Sequence, residues 1–145
     1  MSVYRTLVPW AELFRSGNSV TSIFGVALGS ILASQGLPSG DFAIITALHC
    51  LSVMTFMFSW NALNDFMDIE IDRINRPDRP LPSGEISEVA ASRGILFTAV
   101  LSVSFLIVAA YVSHSGEIGL DGWLPSLAIW MLALLLLFNY ESPSK

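Results

Sequence analysis

Charge is the scarcest commodity in this sequence. Only 13% of its 145 residues are Asp, Glu, Lys or Arg, against about 25% in an ordinary soluble domain. Basic residues are scarcer still, seven against twelve acidic ones, for a net charge of -5. That balance argues against a nucleic-acid partner, since phosphate backbones are bound by a basic surplus. Cysteine is nearly absent. Cys50 stands alone, which excludes a disulfide framework and a thiolate metal centre; beside His49 in an apolar run, it reads as a packing residue. Residues 1–18 lack the basic start, compact apolar core and small-residue cleavage site of a secretory signal. There is no internal repeat, no low-complexity segment and no visible domain boundary.

What the sequence does hold is apolar length. Residues 16–40, 42–64, 94–116 and 122–140 contain no charged side chain, and roughly 20 apolar residues suffice for a helix to cross the hydrocarbon core. Membrane strands would alternate apolar and polar, and these runs do not. The expected fold is therefore all-α, a multi-span transmembrane helical bundle with four spans near 17–36, 42–66, 92–113 and 122–140, and a motif-bearing loop over 67–88. The first run is the most polar, and its Gly25 and Gly29 have the small-residue spacing that lets helices approach closely; chance explains that pair equally well. Pro9, Trp10, Leu13 and Phe14 suit either a short helix on the membrane surface or a plain lead-in.

The few basic residues supply an orientation. Arg5 and Arg15 precede the first span, Arg73, Arg76, Arg79 and Arg93 lie between the second and third, and Lys145 follows the fourth. The other two connections carry only Asp41, and Glu117 with Asp121. By the positive-inside rule the N-terminus, the central loop and the C-terminus are cytoplasmic, in an integral protein of the cell membrane.

The second span ends in an unusual way. Asn61, Asn64, Asp65, Asp68 and Asp72 fall within an arc of roughly 100° on a helix, with Glu70 on the opposite side. Like charges at i and i+4 repel by a few tenths of a kcal/mol, and acidic groups at a helix C-terminus oppose the macrodipole. A stripe of oxygen donors invites a hard cation, magnesium above all. The alternative is a solvated acidic end at the membrane surface. Arg73, Arg76 and Arg79 follow, interleaved with Pro77, Pro80 and Pro82. Proline stiffens such a loop, and guanidinium forks bind phosphate oxygens; alternatively, these arginines simply satisfy the orientation rule.

The string Asn64-Asp65-x-x-Asp68-x-x-x-Asp72, continued by Arg76-Pro77-Asp78-Arg79-Pro80-Leu81-Pro82-Ser83-Gly84, resembles the first aspartate-rich motif of the UbiA-type intramembrane prenyltransferases and the loop that follows it. Asn18 matches a family position facing the active cavity. Within the family the run is most similar to archaeal digeranylgeranylglyceryl phosphate synthases. Chlorophyll synthases are the nearest rivals, and quinone-pathway members that prenylate aromatic rings come next.

The resemblance implies a magnesium-dependent transfer of a prenyl group from a prenyl diphosphate to a lipid or aromatic acceptor, among membrane lipids. It implies Asn64, Asp68 and Asp72 as metal ligands, and Asp68, Asp72 and Arg79 as catalytic residues. Asn18, Asn61, Asn64, Asp65, Arg76 and Arg79 would bind substrate. Family members have about nine spans and a second aspartate-rich motif. The resemblance covers half of such an enzyme, so a C-terminal half is the expected source of that motif. Two readings compete with it: a transporter fragment using intramembrane carboxylates as an ion path, and an inactive or split half-protein.

Overall fold

A computed structural model describes residues 3–116 and 118–141. They form six helices: α1 (Val3–Leu13), α2 (Ser16–Ser34), α3 (Gly40–Met67), α4 (Ile69–Asn75), α5 (Glu88–Ser115) and α6 (Gly119–Glu141). No strand occurs among the described residues, and the all-α membrane bundle expected from the charge gaps is what forms.

Three helices, α2, α3 and α5, are long and apolar enough to cross a membrane. The fourth expected span, 122–140, falls within α6, whose described apolar stretch, Trp123–Leu137, is shorter than a crossing needs. Four spans is thus a slight overcount for the described residues. Glu117 and Lys145 lie outside those residues, as do the side chains of Arg5 and Asp121.

The bundle turns large apolar side chains outward, including Phe24, Leu96, Phe97 and Ile107. Such exposure suits a lipid surround, where the hydrophobic effect does not drive helices together. Small polar residues make the interhelical contacts instead. Ser52 and Ser102, both buried, each donate a hydroxyl to the other's carbonyl at 2.9 and 2.8 Å, and Ser59 donates to Ile95 O at 3.0 Å. These bonds fasten α3 to α5. Gly25 and Gly29 make no close approach, for nothing lies within 4 Å of where a Cβ would sit.

One end of the bundle carries a compact core of Leu13, Ala62, Leu81, Ile86 and Ala91. Here α1 is a helix rather than a plain lead-in, and its Trp10 and the following Phe14 pack on this core. The Phe14 ring stacks on Phe58 of α3 with centroids 5.2 Å apart. Arg15, Arg73, Arg76, Arg79 and Arg93 all belong to this end, on the α1–α2 hinge, α4, the loop and the first turns of α5.

The expected loop 67–88 is only partly loop. After Asp68 (φ -89°, ψ 6°) the chain re-enters a helix, α4, because residues 69–75 contain no Pro or Gly to stop it. From Arg76 onward a chain of tight turns takes over. Its bonds include Ser83 N to Arg79 O at 2.9 Å and Ile86 N to Pro80 O at 3.0 Å. Gly84 at φ +79° supplies the left-handed step. Helix α5 begins at Glu88 rather than 92, since Ser87 caps it by accepting from Ala90 N at 3.2 Å.

Candidate active site

The polar end of α3 meets three other segments: the α1–α2 hinge, α4 and the arginine loop. The helix break at Asp68 divides the acidic stripe into an inward and an outward part. Asp65 and Asp72 point inward, 7% and 6% exposed. Two buried carboxylates this close require counter-charge, and arginines supply it. Arg79 Nη1 donates to Asp72 Oδ2 at 2.7 Å and to Asp65 Oδ1 at 3.2 Å. Arg15 Nη2 donates to the same Asp65 Oδ1 at 2.7 Å. The repulsion expected along the stripe is thus relieved by guanidinium groups from two distant segments.

Asp68 faces outward, exposed and without a side-chain partner among the described residues. Asn64, one turn earlier, holds a buried Oδ1 that no donor reaches. Asn61 is engaged elsewhere, for its Nδ2 donates to Phe14 O and Ser19 Oγ, both at 3.1 Å. It stitches the hinge to α3. Asn18 sits exposed on the first turn of α2 and makes no side-chain bond to the stripe. Arg76 is exposed and unpaired among the described residues. Arg73 is tied up at the surface with Glu70 and Glu88, which suits the orientation rule better than a role in binding.

No group of three His, Cys, Asp or Glu side chains among the described residues is disposed to share a metal ion. The donor chemistry nevertheless fits magnesium. The unpartnered Asn64 oxygen and the unpaired Asp68 carboxylate lie one helical turn apart. Magnesium is typically held by one or two carboxylates, with substrate phosphates and water completing its shell.

Farther along α3, a cavity of about 640 Å³ opens between α2, α3 and α6, walled by Val26, Ile45, Val53, Phe56 and Ile129 among others. His49, Trp123 and Trp130 also line it, and each carries a buried ring nitrogen without a partner. The cavity reaches Met57 on α3, two turns from Asn64, or roughly 10 Å along the axis.

Sequence reasoning missed Arg15 and Ser19. Nothing in their spacing links them to Asp65 or Asn61, some 40 to 50 positions away; Arg15's isolation beside a charge-free run was the one available hint.

A family model described as the UbiA prenyltransferase family covers residues 22–142. The chain belongs to the UbiA prenyltransferase family. Among its curated relatives is the digeranylgeranylglyceryl phosphate synthase of Methanobrevibacter smithii, 36% identical over 139 residues, 94% of this chain and 44% of that protein. The enzymes of the same name from Methanococcus aeolicus and Haloquadratum walsbyi are 38% and 40% identical, over 70% and 72% of this chain and 35% and 32% of theirs. The chain therefore spans less than half the length of these UbiA relatives. No solved structure matches it.

Proposed function

We propose that this chain forms the diphosphate-binding half of a magnesium-dependent UbiA prenyltransferase, transferring a geranylgeranyl group to geranylgeranylglyceryl phosphate in ether-lipid synthesis. One observation carries the reading. Arg79 is shared between two buried carboxylates, while Asn64 and Asp68 of the same stripe keep oxygens without a partner among the described residues. Such a site can exchange an internal salt bridge for a metal diphosphate without leaving a buried charge unpaired.

Asn64, Asp68 and Asp72 would hold magnesium, and Arg79 and Arg76 would take the phosphate oxygens in planar forks. Bound magnesium would withdraw negative charge from the diphosphate as it departs. Arg79, released from Asp72, would place its guanidinium where that charge accumulates. Asp65 keeps Arg79 in reach throughout. The apolar cavity would shelter the prenyl tail, and the lipid-facing helices would exclude water from the allylic cation until the acceptor hydroxyl captures it and passes its proton to the departed diphosphate. By the positive-inside rule this site would lie on the cytoplasmic side of the cell membrane. The remaining helices and a second aspartate-rich motif would come from a C-terminal half.

The test is calorimetry with inorganic pyrophosphate and magnesium on the detergent-solubilised chain. Product formation from geranylgeranyl diphosphate is then assayed after co-expression with the C-terminal half of the Methanobrevibacter smithii relative. Magnesium-dependent pyrophosphate binding that Asp68→Asn weakens is the expected result. Wild-type chain that binds no pyrophosphate with magnesium would sink the reading.

A further inference from the structure

Arg15 occupies a position that ordinary backbone preference would give to glycine or asparagine. Its φ of 46° and ψ of 50° are left-handed, a conformation that residues with a Cβ seldom adopt. It closes the two-residue turn between α1 and α2, with Arg15 N donating to Glu12 O at 2.9 Å and Asn18 N donating to Arg15 O at 2.9 Å. The turn aims the guanidinium across the hinge at Asp65.

Arg15 supplies the second counter-charge, since Arg79 is shared between Asp65 and Asp72. Arg79 already reaches the same Oδ1, so two guanidinium groups converge on one carboxylate oxygen, their bonded nitrogens less than about 6 Å apart. Only one of Arg15's five N–H donors has a partner here, and its side chain remains 40% exposed. The N-terminus of α2 lies at the same point, and its N-cap makes no side-chain bond to the first turn. That helix end also favours negative charge.

We infer that Arg15 is a further ligand for the diphosphate, working as a pair with Arg79 on the common Asp65 anchor. The inference rests on the proposed function. It assigns the α1–α2 hinge a part in substrate binding, so the site is built from the hinge, the α3 end and the loop together. The chemistry recognised is a diphosphate, whether free or at the head of a prenyl chain.

Three variants test it by pyrophosphate titration with magnesium on the full chain in detergent. Arg15→Gly relieves the left-handed strain and removes the guanidinium. Arg15→Asn does the same while tolerating the left-handed turn. Arg15→Lys keeps the charge and loses the fork. Glycine and asparagine variants are expected to stay folded and to bind about 10- to 100-fold more weakly, the worth of one charge-assisted contact, with lysine intermediate. The midpoint of unfolding without ligand is measured alongside.

Should Arg15→Gly and Arg15→Asn bind as wild type does while Arg79→Gln loses affinity, Arg15 is a hinge residue only and the inference is overturned alone. Loss of all three variants to misfolding, with Asp65→Asn folded and binding normally, would overturn it too, by showing that the Asp65 anchor plays no part. A wild-type chain that binds no pyrophosphate removes the proposed function, and this inference falls with it.

Discussion

The three carboxylates of the stripe should separate into different jobs, and paired substitutions at Asp65 and Asp68 would show it. Asp65→Asn keeps the shape and deletes the charge that two guanidiniums share. Each charge-assisted bond contributes about 1.5–3 kcal/mol. The Arg15 and Arg79 side chains, however, are 40% and 25% exposed and can return to solvent. The 3.2 Å bond is also the weaker of the two. Discounting for both leaves a destabilisation of about 2 kcal/mol for Asp65→Asn. Asp68 has no partner to lose, so Asp68→Asn should stay within about 0.5 kcal/mol of wild type. Relief of its repulsion with Asp65 and Asp72, at i-3 and i+4, could add a few tenths.

Reversible unfolding in mixed micelles, followed through tryptophan fluorescence, reads the stability. Magnesium titration in the presence of pyrophosphate reads the site. The expected pattern is crossed: Asp65→Asn loses stability, whereas Asp68→Asn keeps stability and loses magnesium affinity. Equal destabilisation by both would refute the division of the stripe, as would an Asp65→Asn protein as stable as wild type.

Other consequences follow from particular contacts. Gly94→Ala would set a Cβ 2.5 Å from Trp10 Cζ3 and 2.9 Å from Cη2. Displacing that ring should cost about 1–3 kcal/mol and expose α1, to be seen as a red shift in tryptophan emission and faster proteolysis near residue 10. Ser52→Ala and Ser102→Ala should each cost about 0.6 kcal/mol, typical of interhelical hydrogen bonds in membranes, and add nearly independently in the double variant, because each hydroxyl donates to the other's backbone carbonyl; no loss from either would mean the bonds contribute nothing. Stripping magnesium with a chelator should abolish pyrophosphate binding while leaving the unfolding midpoint in place, because the buried carboxylates are held by Arg15 and Arg79. Asn61→Ala frees Phe14 O and Ser19 Oγ from their shared donor. It should loosen the α1–α2 hinge by about 1 kcal/mol, read as faster amide exchange at residues 14–19.

Much of this protein is determined by its sequence alone. Long charge-free runs leave helices in lipid as the available fold, because backbone groups in the hydrocarbon must bond within their own segment. Helical periodicity gathers Asn61, Asn64, Asp65, Asp68 and Asp72 near one face, and their order through Gly84 carries the family. Tertiary structure decides what each of them does. Spacing gives a side chain its angle on one helix, but whether that angle meets water, a metal or a guanidinium depends on chain that arrives from elsewhere. The left-handed turn at Arg15, the resumption of the helix as α4 and the burial of the loop's Leu81 and Ile86 against Leu13, Ala62 and Ala91 bring arginines to Asp65 and Asp72. They leave Asp68 and the Asn64 oxygen free. Those encounters join residues up to 50 positions apart, beyond the reach of any local pattern, and only packing in three dimensions creates them.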